Sequence, residues 1–176
     1  MKGYRCERDK SVGSTLPRNR QRRTVVLDIG TGTGVLAIAA AKALRRPVLA
    51  SDIDARAVTI ARDNARINRV GAVVRVMHAA GLDAAPFRAR APYSLVFANI
   101  LLDPLKALAT PMARLVAADG QIVLSGLLAA QAGAALASYR ARGLALVRRT
   151  TLEGWATLVL VRPARRRTAK RARAGV

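Results

Sequence analysis

The sequence has 176 residues and a mass of 18.7 kDa, room for one globular domain with a real core and too little for two full-sized ones. Hydrophobic residues make up 52% and charged residues 23%, which excludes a fully disordered chain. The 31 Lys and Arg against 10 Asp and Glu give a net charge of +21, a balance that suits a polyanion such as RNA or the ribosome and leaves the fold open.

That charge is unevenly placed. Residues 1–23 hold 8 basic and 2 acidic side chains, and residues 164–176 hold 6 basic and none acidic. Each end is therefore +6, and the middle keeps +9. Both ends read as solvated, disordered basic arms flanking a folded domain over 24–163. Cys6 and His78 each stand alone, so no zinc site, Cys–His pair or other metal site is expected. No signal peptide and no run of 18 apolar residues is present, which predicts a cytoplasmic protein without membrane contact. A monomer is expected.

Between the arms two periods alternate. Val25, Val26, Leu27 and Ile29 make a short apolar run ended by glycines, the pattern of a strand buried on both faces. The Ala-rich Val35–Leu44 predicts a helix stopped by Arg45-Arg46-Pro47. Val48–Ala50 predicts a second strand leading to Asp52, and Ala55–Asn68 an amphipathic helix. Val73–Met77 and Leu95–Ile100 read as strands three and four. Leu105–Val116 predicts a helix, Asp119-Gly120 a turn, and Gln121–Leu127 a fifth strand. After a helix over Ala129–Arg142, Leu144–Thr150 and Ala156–Val161 follow as two strands joined by Leu152-Glu153-Gly154, a join short enough only for an antiparallel pair. The fold expected is a doubly wound, Rossmann-like α/β sheet of seven strands, mostly parallel, with an antiparallel C-terminal hairpin. Met77, Met112, Tyr139 and Trp155 read as packing residues, and His78 as a partly buried structural histidine.

The chemical signal lies in the first strand-to-helix turn, VVLDIGTGTG. Asp28 ends the strand and Gly30, Gly32 and Gly34 surround the turn, where glycine allows close backbone approach and a helix N-terminus offers amide N–H groups. The Gly-x-Gly-x-Gly spacing differs from the dinucleotide Gly-x-Gly-x-x-Gly, which disfavours a nicotinamide enzyme. Asp52 falls 22 residues after Gly30, the separation of a carboxylate that accepts both ribose hydroxyls. Asp54 is expected to cap the following helix. Asn99 ends the fourth strand at the same sheet edge.

These segments resemble the ribosomal protein L11 methyltransferases over about residues 24–163. VVLDIGTGTGVLAIAAAKA is similar to that family's cofactor turn and first helix, and SDIDARAVTIARDNARINRV to its second strand and helix. VFANILLDPLKALA is similar to its fourth-strand motif, and GQIVLSGLLAAQAGAALASYRARG with Glu153-Gly-Trp155 to its last helix and hairpin. The resemblance implies a class I fold and S-adenosylmethionine as cofactor, held by Asp28, Gly30, Gly32, Gly34, Asp52 and Asn99. It implies methyl transfer to an amine, a lysine, of a ribosomal protein, and assigns no catalytic residue. The family's N-terminal substrate-recognition domain and its Gly-Thr-Gly-Thr-His-Pro-Thr-Thr lid find no counterpart beyond a faint echo at Gly13–Pro17. Two alternatives stay open: a noncatalytic S-adenosylmethionine-binding module seated on ribosome or RNA by its basic arms, and an RNA methyltransferase.

Overall fold

The computed structural model describes residues 25–164. The N-terminal arm with Cys6 and Gly13–Pro17, and the C-terminal arm from residue 165 onward, lie outside the described residues. The elements run β1 (Val26–Ile29), α1 (Val35–Leu44), β2 (Val48–Asp52), α2 (Ala55–Ile67), β3 (Val74–His78), α3 (Ala85–Arg90), β4 (Tyr93–Asn99), α4 (Leu102–Ala107), α5 (Ala109–Leu115), β5 (Val116–Leu128), α6 (Ala132–Arg140), β6 (Ala145–Leu152) and β7 (Trp155–Val161). One seven-stranded sheet has the order β3-β2-β1-β4-β5-β7-β6. Its first five members pair in parallel, and β7 lies antiparallel between β5 and β6. The doubly wound sheet with a terminal hairpin is thus the fold the sequence predicts.

Alternation along the strands divides the core into two layers. Val26, Val48, Ala50, Val74 and Val76 cluster with Ala37, Ile38 and Ala41 of α1 and Val58, Ala61 and Ala65 of α2. Small residues on both helices permit a close approach: a Cβ at Gly34 would stand 3.2 Å from that of Ala61. Leu27, Leu49, Val96, Ala98, Ile122 and Leu158 cluster instead with Phe87 of α3, Leu105 of α4, Met112 of α5 and Tyr139 of α6. The Tyr139 hydroxyl donates to Leu105 O at 3.0 Å, which satisfies its one buried polar group.

Both outer strands have occupied or distorted edges. At β3, Arg62 donates from Nε (3.2 Å) and Nη2 (3.0 Å) to the carbonyl of Val76. At β6, the register slips between Leu146 and Arg148, leaving Val147 as the extra residue of a bulge.

The structure departs from the sequence reading in identifiable places. Helix α3 was not foreseen. The single helix expected over Leu105–Val116 is two, α4 and α5, meeting at Leu108. Pro104 and Pro111 each occupy the third position of their helix, inside the first turn where a proline's missing N–H costs nothing. Strand β5 runs over 13 residues, and the expected turn survives inside it as a bulge, with Asp119 at φ 57°. Helix α6 is preceded by a 3-10 turn over Ala129–Gln131. Two packing assignments are corrected. Trp155 is 55% exposed, because the first residue of β7 points away from the buried face carrying Ala156, Leu158 and Leu160. His78 is exposed at the end of edge strand β3. Tyr139 and Met112 are fully buried, as expected, and Met77 is partly buried.

Candidate functional site

Register brings the three polar strand ends onto one face. Asp28 pairs with Ala50 and with Phe97, and Asp52 and Asn99 lie two residues beyond those partners. The side chains of Asp28, Asp52 and Asn99 therefore project on the side of the sheet that carries α1 and α2, at the carboxyl end of the parallel strands.

Asp28 is the hub of the turn. Its Oδ2 accepts from Thr31 Oγ1 at 2.7 Å and from the amide N–H of Ala37 at 3.1 Å. Ala37 is the third residue of α1, and Gly34, at the N-cap position, offers no side chain. The strand thus supplies the cap that the helix lacks. Asp28 is 1% exposed, and burial pushes its carboxyl up to about 6 against the opposing pull of those two hydrogen bonds, with the Asp52 charge adding to the rise. Its Oδ1 is buried without a hydrogen-bond partner.

The glycines divide the remaining work. Gly30, Gly32 and Gly34 all have positive φ, at 67°, 54° and 86°, where a Cβ costs about 1 kcal/mol or more. At Gly30 an added Cβ would overlap the side chain of Ile100, which closes that side of the turn. At Gly32 nothing lies within 4 Å of the Cβ position, so the surface above it is open. The Gly32 N–H donates to Asp52 Oδ2 at 2.8 Å and the Asp54 N–H to Asp52 Oδ1 at 3.0 Å. Asp52 is thereby aligned by two amides while staying partly exposed, with lone pairs left for a ligand's hydroxyls. Asp54 caps α2 as expected, accepting from Arg56 N–H at 2.8 Å. His78 Nε2 donates to Ile53 O at 2.8 Å, which holds the ring to the loop after Asp52 and requires a proton on Nε2.

Asn99 is exposed at the end of β4, opposite Ser125 of β5. The next residue, Gly126, has φ 76°, and a Cβ there would stand 2.5 Å from Asn99 Oδ1 and 3.2 Å from Ile100 N. Gly126 and Ile100 adjoin the candidate site without having been singled out by sequence reasoning. A glycine interrupting an apolar strand opposite Asn99 was the available signal, since it marks a close backbone approach. An open glycine turn, an aligned carboxylate and an orphaned buried oxygen fit a nucleoside carrying a cationic tail. Among the described residues no group of three or more His, Cys, Asp or Glu side chains is placed to hold a metal.

Comparison with known proteins identifies relatives of this chain. The family model described as ribosomal protein L11 methyltransferase matches residues 14–163. The ribosomal protein L11 methyltransferase of Rhodopseudomonas palustris (strain BisB5) is 55% identical over 137 residues, 78% of this chain and 46% of that protein. The chain spans about half the length of the curated relatives it matches. Among solved structures, a ribosomal protein L11 methylase from Lactobacillus delbrueckii subsp. bulgaricus superposes with a TM-score of 0.73 at 28% identity, covering 79% of this chain and 70% of that one. An RNA methyltransferase from Salinibacter ruber, solved with S-adenosyl-L-homocysteine, shares the fold at 20% identity and a TM-score of 0.62, over 80% of this chain and 81% of its own.

Proposed function

Because the chain belongs to the ribosomal protein L11 methyltransferase family, we propose that residues 25–164 are its methyl-donor half and transfer a methyl group to a neutral amine, a lysine ε-amine, of a ribosomal protein. The observation that carries this reading is the pairing of an open glycine turn with the Asp52 carboxylate, joined by the 2.8 Å bond from Gly32 N–H. When bound, S-adenosylmethionine supplies a methyl activated by its sulfonium. Asp52 takes the ribose hydroxyls. Asp28 is a positioning residue: it holds the turn through Thr31 and Ala37, and its unpartnered Oδ1 is the atom suited to a water-bridged contact with the ligand's amino group. Asn99, exposed at the end of β4, would accept an N–H of the incoming amine through its Oδ1. Such a displacement needs alignment and exclusion of water more than acid or base groups, so proximity supplies much of the acceleration.

Calorimetry with S-adenosylhomocysteine tests the donor site. Native protein is expected to bind, and Asp52→Ala to bind at least tenfold more weakly; absence of binding, or an unaltered affinity in the variant, overturns the reading. The acceptor is tested with radiolabelled donor and ribosomal proteins from cells lacking the activity, where label on a ribosomal protein lysine is expected. The net charge of +21 supports a second reading, a noncatalytic donor-binding module seated on ribosome or RNA. Binding without label on any component supports it, and label on RNA alone supports an RNA methyltransferase.

A further inference from the structure

We propose that the groove between α2 and β3 binds the phosphate backbone of RNA. This groove, of about 360 Å³, is lined by Arg62, Arg66 and Arg75 together with the small residues Ala65, Gly71 and Ala72 and the strand residues Val74 and Val76. It lies along the β3 edge of the sheet, toward the amino end of the parallel strands and away from Asp52 and Asn99.

Charge around it is strongly one-sided. Residues 42–76 contain 8 Lys and Arg against 3 Asp. Two of those carboxylates, Asp52 and Asp54, belong to the candidate donor site and the α2 cap. The third, Asp63, pairs with Arg66 at 2.7 Å, with the two side chains 54% and 74% exposed. An exposed pair of that kind holds little energy and opens readily for a stronger anion. Arg62 is already ordered by its two bonds to Val76 O, so less side-chain freedom is lost when its remaining N–H groups meet a phosphate.

The lining also selects among polyanions. Three arginines line the groove together with Ala65, Gly71, Ala72, Val74 and Val76 and no aromatic side chain, so it offers no platform for base stacking. An acidic protein partner would need a large apolar or aromatic anchor pocket, and the apolar lining here is only Ala65, Ala72 and two valines, Val74 and Val76, that are already buried in the core. Planar guanidinium groups match phosphate oxygens, so contact is with backbone and independent of base sequence. The choice of RNA rests on the reading above, in which the acceptor is a ribosomal protein.

Fluorescence anisotropy with a labelled 20-nucleotide uridine RNA and the full chain, at 50 to 300 mM KCl, tests the proposal without any methyl transfer. Arg66→Glu/Arg75→Glu is expected to weaken binding at least tenfold at 100 mM KCl. Loss of two phosphate contacts should also flatten the slope of log K against log[salt] by about 1.4. The control Arg114→Glu/Arg140→Glu, which removes the same net charge from exposed positions on α5 and α6, is expected to change binding less than threefold. S-adenosylhomocysteine affinity, read in parallel, reports folding, and Arg66→Gln/Arg75→Gln provides a milder pair if the reversal disrupts it. Equal weakening by both double variants, or none by either, overturns the site. Displacement of the RNA by polyglutamate as readily as by unlabelled RNA at equal charge overturns the assignment to a phosphate backbone.

Discussion

Asp28 makes the stability of this protein depend on pH in a direction opposite to that of most carboxylates. Its carboxyl moves from 3.8 to about 6 on folding, chiefly through burial. A folded-state value above the unfolded one means that the native chain holds the proton more tightly. The stabilisation is therefore fully present below about pH 4 and is lost as pH rises through about 6. The difference corresponds to about 3 kcal/mol, or about 10 °C in Tm for a domain of this size. Asp28→Asn keeps an acceptor for Thr31 and Ala37 and cannot ionise, so it removes the titration while preserving the cap. Urea unfolding of both proteins between pH 4 and pH 7.5 isolates the effect, because titrating groups other than Asp28 and its neighbour Asp52 cancel in the difference. The native protein is expected to lose about 2.4 kcal/mol relative to Asp28→Asn across that interval, because at pH 4 the unfolded carboxyl is already more than half ionised. A difference that is flat, or that grows in favour of the native protein as pH rises, refutes the account of Asp28 as a carboxylate held against desolvation.

Two further substitutions probe the site and the core. Gly126→Ala places a methyl 2.5 Å from Asn99 Oδ1 at a φ of 76°; methyl transfer should fall at least tenfold while S-adenosylhomocysteine affinity moves less than threefold, and parallel loss of both would show that Gly126 serves the fold alone. Tyr139→Phe removes the donor to Leu105 O inside a fully buried contact, and the urea midpoint should drop by the equivalent of about 1–2 kcal/mol with an unchanged slope. A shift below about 0.3 kcal/mol would mean that the carbonyl finds another partner.

Much of the architecture was legible because each signal was local. The run Val25–Ile29, the glycines after it and the breaker-free Val35–Leu44 state their own conformations, and the short join at Leu152–Gly154 forces an antiparallel pair. The prolines were harder to read: Pro104 and Pro111 sit in helical first turns, and whether a proline breaks or begins a helix depends on the residues preceding it in space. Helix α3 is six residues, too short to show a period. In the site, Gly30, Gly32, Gly34, Asp52 and Asn99 announced themselves by position at strand ends. The role of Asp28 as a cap for α1 did not, because it depends on a contact with Ala37, nine positions further along the chain. Gly126 and Ile100 acquire meaning only from the register of β5 against β4, and Trp155 and His78 from which face of an edge segment lacks a covering layer. Sequence periodicity reports a residue's own face and leaves out what lies opposite it.

The sheet's two outer strands also set how this protein can meet others. A bare strand edge is a template onto which another chain can hydrogen-bond. Here one edge has its Val76 carbonyl already taken by Arg62, and the other is bent by the Val147 bulge beside Arg148 and Arg149. Lengthening the sheet by a visiting strand is therefore costly at either end. Encounters are channelled to the helical flanks and the mouth of the crevice, where side chains rather than backbone decide who is accepted.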